Sequence, residues 1–269
     1  MALDKNEILK IMTELAREAG KEILKHYTSA IAVEYKEDQS PVTEADRSAN
    51  ALIVQGLMGW YPDIPVLAEE SADDPKRLAS RLCFVVDPLD GTKEFIKRNG
   101  EFTVNIALVE EGRPILGVIY VPVLDEIYYG SKGLGAYSVI QGRTERLRVS
   151  ERVGDIRLAK SRSYYAPEMD RLIEHNGIKQ VLIAGSAYKG CLLARGDVEV
   201  YYRFGRTMEW DTAAMEIIAL EAGGLFSGLN GNKFRYNKPN PENPTGFFII
   251  NREENRLDLS FLSSDAAER

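Results

Sequence analysis

Apolar and polar positions recur along this chain with two periods, one helical and one extended, and together they place most of its elements. Between Asp4 and Tyr27 the apolar residues Ile8, Met12, Leu15, Ala19, Ile23 and Tyr27 return every three or four positions with charges between them, which predicts an amphipathic helix lying on a core. Asp4 followed by Glu7 suits its N-terminal cap. Val33-Glu34-Tyr35-Lys36 alternates as a short strand, and Thr43 suits the cap of a second helix over 44–58 that buries Leu52, Ile53 and Leu57 and stops at Gly59 and Pro62. The continuous apolar runs Val66-Leu67-Ala68 and Phe84-Val85-Val86 read as buried strands. Runs over 103–109 and 115–121, joined by Glu110-Glu111-Gly112-Arg113-Pro114, predict a hairpin, with a third antiparallel strand over 126–130. Gly133-Leu134-Gly135-Ala136 lacks the spacing and the following helix of a nucleotide loop, and reads as a turn between strands.

Near 149–154 the character changes. Strand-like segments at 156–159, 180–183 and 198–202 alternate with helix-like ones at 167–175 and 187–195, which predicts a three-layer α/β arrangement. A helix over 211–221 closes at Gly223-Gly224, 230–244 is a polar loop, 246–250 is a buried strand, and the tail after Ser263 is frayed. We therefore expect an α+β domain over 1–150 and an α/β domain over 151–269.

Composition narrows the partners. The 269 residues carry 34 basic and 41 acidic side chains, a net charge of −7, so an extended nucleic-acid backbone is repelled and any nucleotide partner is small. Charge or glycine breaks every apolar stretch before about 18 residues, so no transmembrane segment is expected. The N-terminus lacks the basic and apolar blocks of a signal peptide, which points to the cytoplasm. Cys83 and Cys191 sit in apolar segments and read as buried packing residues in a reducing compartment. His26 and His175 lack the flanking partners of a triad and read as surface or packing residues.

The strand at Phe84 runs directly into Asp87-Pro88-Leu89-Asp90-Gly91-Thr92. Two carboxylates three residues apart across a proline imply a bend that turns both side chains to one point. Neighbouring carboxylates repel unless a cation neutralises them, and oxygen donors without Cys or His favour a hard ion, Mg²⁺ first. Gly91 and Thr92 offer N–H groups at the start of the helical turn Thr92-Lys93-Glu94-Phe95-Ile96, where a phosphate can rest. The same residues also compose an ordinary tight turn. Three further acids stand at element starts or ends. Asp46 reads as half of a capping box with Thr43. Glu69, tethered with Glu70 at a strand end, is a metal ligand or the first residue of an acidic loop. Asp211 reads as a helix cap, typically worth about 1 kcal/mol.

Asp-Pro-Leu-Asp-Gly-Thr, preceded by Glu69-Glu70-Ser71 and followed by Trp210-Asp211-Thr212-Ala213-Ala214, resembles the signature of the lithium-sensitive, magnesium-dependent phosphatases of the inositol monophosphatase superfamily. Within it, the stretch from Lys93 through Phe102-Thr103-Val104-Asn105 to Leu108 is similar to the bacterial 3'(2'),5'-bisphosphate nucleotidases, which act on 3'-phosphoadenosine 5'-phosphate. The resemblance runs from about Lys36 to Gly246-Phe247-Phe248 and implies a layered αβαβα sandwich, with an antiparallel sheet in the first half and a mixed sheet in the second. It implies that Glu69, Asp87, the Leu89 carbonyl, Asp90 and Asp211 hold two Mg²⁺ ions about 4 Å apart, with a third near Glu69. Asp46 and Thr92 would then align and deprotonate the attacking water, and the Gly91 and Thr92 N–H groups would hold phosphoryl oxygens, with Glu69 and Asp211 bordering the substrate as well.

Substrate choice is assigned in the same way. Gly185-Ser186-Ala187-Tyr188-Lys189 reads as a helix opening with an anion site, and it matches a nucleotidase Ser-x-x-Lys segment, followed by Arg203, that contacts the non-scissile parts of the nucleotide. Without that likeness these residues are a cap, an exposed lysine and a strand-end arginine. Ser161-Arg162-Ser163 also follows the nucleotidase pattern, with Ser163 a substrate contact, but Tyr164 stands where related sequences often carry histidine; its ring is suited to stack on adenine. The expected reaction is Mg²⁺-dependent removal of the 3'-phosphate, with an inositol or sugar-phosphate phosphatase as the alternative. A non-catalytic nucleotide-binding protein is the alternative of another class, against which stands the presence of every expected acid. The resemblance further implies lithium sensitivity, a homodimer and peripheral association with the inner membrane face.

Overall fold

A computed structural model describes residues 4–28, 32–36 and 41–264. The expected fraying after Ser263 lies almost wholly outside them. Helix α1 (Lys5–Tyr27) begins where the Asp4 carboxylate accepts the backbone N–H groups of Asn6 and Glu7, and its buried stripe contains Ile8, Met12, Leu15, Ala19 and Ile23. Two-residue strands β1 (Glu34–Tyr35) and β2 (Pro41–Val42) pair ahead of α2 (Glu44–Trp60). That helix runs two residues past its expected end, because one exposed glycine costs only about 1 kcal/mol and does not stop a helix. Its inner face is Ala45, Ala49, Ile53 and Leu57, while Leu52, expected in the core, is only half-buried.

Strand β3 (Val66–Ala68) lies parallel to β4 (Leu82–Asp90). After the short helix α3 (Thr92–Ile96), the strands β5 (Thr103–Glu110), β6 (Arg113–Val121), β7 (Glu126–Ser131), β8 (Gly135–Ile140) and β9 (Arg143–Arg146) continue an antiparallel meander. Together β3 to β9 make one sheet in sequence order. The turn expected at 133–136 leads into β8, while β9 was not anticipated. Its signal is Gln141-Gly142, both at positive φ, the two-residue turn that matches strand twist.

The second sheet has the order β11-β10-β12-β16-β14. The chain runs here through β10 (Arg157–Ser161), α4 (Pro167–His175), β11 (Gln180–Ala184), α5 (Tyr188–Arg195), β12 (Val200–Arg203), β13 (Thr207–Met208), α6 (Glu209–Glu221), β14 (Leu225–Gly228), β15 (Glu242–Asn243), β16 (Phe247–Ile250) and the final turn α7 (Phe261–Ser264), with β13 and β15 paired in a small sheet of their own. β10 pairs parallel with β11 and β12, whereas β16 is antiparallel to β12 and β14. Strand β14 and the β13–β15 pair, which anchors the polar stretch 230–244, were not foreseen.

Three cores define the layering. α1 and α2 cover one face of the first sheet, α5 and α6 lie between the two sheets, and α4 with Leu257 and Phe261 covers the far face of the second. This is the expected αβαβα sandwich. Cys83 and Cys191 are buried and free. His175 pairs with Asp258 at 2.8 Å on the surface. Among the described residues no helix is long and apolar enough to cross a membrane.

Helix α6 can approach the first sheet because Gly117 lies beneath it. A Cβ there would stand 2.5 Å from Ile217 Cγ2 and 2.7 Å from the Ala214 carbonyl oxygen. Gly117→Ala is therefore expected to destabilise the protein by about 1–3 kcal/mol through overpacking, measured by urea unfolding. A neutral effect would mean that α6 is free to shift.

Candidate active site

The first sheet delivers the central acids from inside a strand. β4 pairs with β5 as far as Asp87–Asn105, loses register, and pairs again at Asp90–Thr103. The strand does not end at Val86 as expected. It carries the bend within it, a bulge that re-aims side chains without ending the ladder. Asp87 is buried and its Oδ1 accepts the Leu89 N–H at 3.1 Å. Asp90 Oδ2 accepts the Ala187 N–H at 2.5 Å, with Thr103 and Asn105 beside it at 3.3 and 3.4 Å. Gly91 follows at φ 90°, a conformation that glycine adopts without strain, and α3 starts at Thr92.

The second half contributes Asp211. It is the third residue of α6, not a cap; the cap is Met208, whose N–H the Asp211 carboxylate accepts at 2.7 Å. Asp87, Asp90 and Asp211 each offer an oxygen within 4.8 Å of the others. Burial pushes Asp87 well above the usual carboxylate range, and the negative charges of Glu69, Asp90 and Asp211 add to the effect. Burial, then Asp90, pushes Asp211 up to about 8. Such a group of oxygen donors, desolvated and short of positive charge, fits a hard divalent cation.

Glu69 stands beside this cluster and is engaged elsewhere. Lys36 Nζ donates to Glu69 Oε1 at 2.8 Å and to Glu70 Oε1 at 2.5 Å. Burial raises Glu69 to about 7, against the pull of Lys36. Lys36 was not foreseen as a site residue, since one lysine on a short strand carries no signal. Asp46 and Thr92 do meet: Thr92 Oγ1 donates to Asp46 Oδ1 at 3.1 Å, while Asp46 Oδ2 takes the Thr43 N–H and hydroxyl at 2.7 and 2.6 Å. The capping box with Thr43 is thus present, and the same carboxylate reaches Thr92.

A cavity of about 300 Å³ opens over these groups, and its lining includes Glu69, Asp90, Gly91, Thr92, Asp211, Ser163, Ser186, Lys189 and Arg203. The Ser186 segment differs from its expected form. Helix α5 starts only at Tyr188, Ser186 has φ 42°, its hydroxyl donates to the Glu101 carbonyl at 2.6 Å, and the Ala187 amide is spent on Asp90. The Ala187 amide is therefore taken up and not left for an anion. The cation is Lys189, which is 3% exposed, donates to the Ser186 carbonyl at 2.6 Å, and is held down to about 8 by burial despite Asp90 and Glu94. Tyr164, expected to be available to a base, carries the Arg203 guanidinium 3.2 Å from its ring centroid. Ser163 Oγ accepts from Lys97 at 3.0 Å.

Thr103, Asn105, Glu94, Tyr201 and Thr207 also belong to this region, the last three as lining residues. The signal for the first two lay in the sequence, as polar residues two apart in an otherwise apolar strand.

The Inositol monophosphatase family profile matches residues 4–256. A 3'(2'),5'-bisphosphate nucleotidase CysQ from Salmonella typhimurium is 44% identical over 234 residues, covering 85% of this chain and 94% of that protein. The CysQ of Escherichia coli K12 is 42% identical with the same coverage. The crystal structure of CysQ from Bacteroides thetaiotaomicron superposes with a TM-score of 0.81 at 38% identity, over 93% of this chain and 99% of that one. A Thermotoga maritima IMPase gives 0.77 at 29% identity, over 93% and 92%. By its cluster of three acids, its five layers and a profile match over most of its length, the chain belongs to the inositol monophosphatase family.

Proposed function

We propose that this protein is a Mg²⁺-dependent phosphomonoesterase that hydrolyses the 3'-phosphate of 3'-phosphoadenosine 5'-phosphate, adding water across the ester to leave AMP and inorganic phosphate. The observation that supports this reading is that both kinds of charge border one cavity: Asp90 and Asp211 of the acidic cluster, and the cations Lys189 and Arg203. A substrate with two phosphates answers both, one at the metal and one at the cations. The kinship with CysQ nucleotidases supports the same choice.

In this mechanism Asp87, Asp90, Asp211, Glu69 and the Leu89 carbonyl would hold the metal, and Mg²⁺ there would supply a water made nucleophilic near neutral pH and offset charge on the phosphoryl group. Thr92 Oγ1 donates to Asp46, and this pair would align the attacking water, with Asp46 as the proton acceptor. The Gly91 and Thr92 N–H groups hold phosphoryl oxygens at the start of α3. Lys189 and Arg203 bind the phosphate that is not cleaved, with Ser186 and Ser163 at its margin. Lys36 holds one Glu69 oxygen, so Glu69 would offer its other oxygen to the metal.

Phosphate release from 3'-phosphoadenosine 5'-phosphate, adenosine 3'-monophosphate and inositol 1-phosphate tests the proposal. The bisphosphate is expected to lead in kcat/KM by about tenfold or more over the monophosphate, the worth of one charge-assisted hydrogen bond. A preference for inositol 1-phosphate would overturn the substrate assignment.

A further inference from the structure

The second polar concentration in the molecule lies behind Asp211, outside the cavity. Arg77, 1% exposed, donates from Nε and Nη2 to the Asp73 carboxylate at 2.6 and 2.9 Å. Its Nη1 reaches Asn237 Oδ1 at 2.8 Å, its Nη2 the Lys238 carbonyl at 2.9 Å, and Asn237 Nδ2 returns a bond to the Arg77 carbonyl at 2.9 Å. The amides of Asn237 and Lys238 then donate at 2.5 and 2.9 Å to Glu209, a fully buried carboxylate that opens α6 two residues before Asp211. The same segment holds the Glu209 N–H through the Pro241 carbonyl at 2.9 Å and the Met208 carbonyl through Asn243 at 3.3 Å.

We infer that Arg77, Asn237 and Glu209 are positioning residues that set where Asp211 stands relative to Asp87 and Asp90. Arg77 belongs to the first-half segment that follows Glu69 and Glu70, so this chain of bonds ties the two sources of acids together. Three features favour positioning over bulk stability. Buried charges are a poor route to stability, because desolvation offsets most of their attraction. Asn237 is held at φ 58°, a left-handed conformation that asparagine tolerates better than most residues. The network also ends on the N–H-to-carboxylate turn that carries Asp211 rather than on the core. Outer groups of this kind fix ligand geometry.

The inference rests on the metal reading above, and its test keeps the two apart. Mn²⁺ binding to the full chain, followed by paramagnetic resonance, is compared for wild type, Asp211→Asn, Asn237→Gly and Glu209→Gln, with thermal unfolding in EDTA alongside. Glycine keeps the Asn237 backbone angle and removes only the side chain. Asn237→Gly and Glu209→Gln are each expected to weaken Mn²⁺ binding about tenfold, and neither should weaken it further in the Asp211→Asn background. Folded variants that bind Mn²⁺ as wild type does, or that weaken it equally with and without Asp211, would overturn the positioning role. Glu209→Gln carries the test where Asn237→Gly does not fold. Equal binding by wild type and Asp211→Asn would overturn the metal reading itself, and the positioning role with it.

Discussion

Asp211→Asn is expected to lower phosphomonoester turnover by about a thousandfold, roughly 4 kcal/mol of transition-state stabilisation, while leaving the protein folded. Asparagine keeps the oxygen that accepts the Met208 N–H at 2.7 Å, so the first turn of α6 survives. What it removes is one of three carboxylates whose oxygens lie within 4.8 Å of each other. In the absence of metal that removal relieves repulsion, so the variant should melt at or above the wild-type temperature in EDTA. Steady-state phosphate release and thermal unfolding, measured on one preparation, check both halves. An active variant would mean that Asp211 is only part of the helix start.

The second large effect is a pH-dependent stabilisation by Mg²⁺. Burial, then Asp90, raises Asp211 to about 8 from an ordinary 3.8, and burial raises Glu69 to about 7 from 4.5. The metal-free folded state therefore holds protons that the unfolded chain has already lost. Stability falls as pH rises from about 4 through these values, because the state that binds more protons is favoured at low pH. Lys189, lowered to about 8, acts in the opposite sense only above that pH. Mg²⁺ takes over the neutralising role of the protons. At about 100 times its dissociation constant it should contribute about 2.7 kcal/mol, or roughly 5–10 °C in Tm at pH 8. The increment should shrink at pH 6, where protons compete. A Tm in EDTA that rises between pH 6 and 8, with no larger Mg²⁺ increment at pH 8, would refute the account.

Much of this protein is determined by its sequence alone, because the signals are local. Apolar spacing places α1, the Asp4 cap follows from one side chain and two amides, and the strands Thr103–Glu110 and Arg113–Val121 follow from β-branched runs with a turn between them. The acids Asp87, Asp90 and Asp211 stand out because carboxylates beside buried apolar runs are costly unless they have a use. Tertiary structure decided what depends on partners distant along the chain. Leu52 looked as apolar as Leu57, yet packing left it half-buried and brought Ala49 into the core. The amides after Ser186 looked free until Asp90, 97 positions away, accepted one of them. Lys36 became the partner of Glu69, Arg203 settled on Tyr164, and Arg77 reached Asn237. The physical reason is the same in each case: propensity and period act over a few residues, whereas the fate of a buried charge is set by whatever the folded chain brings within about 3 Å of it.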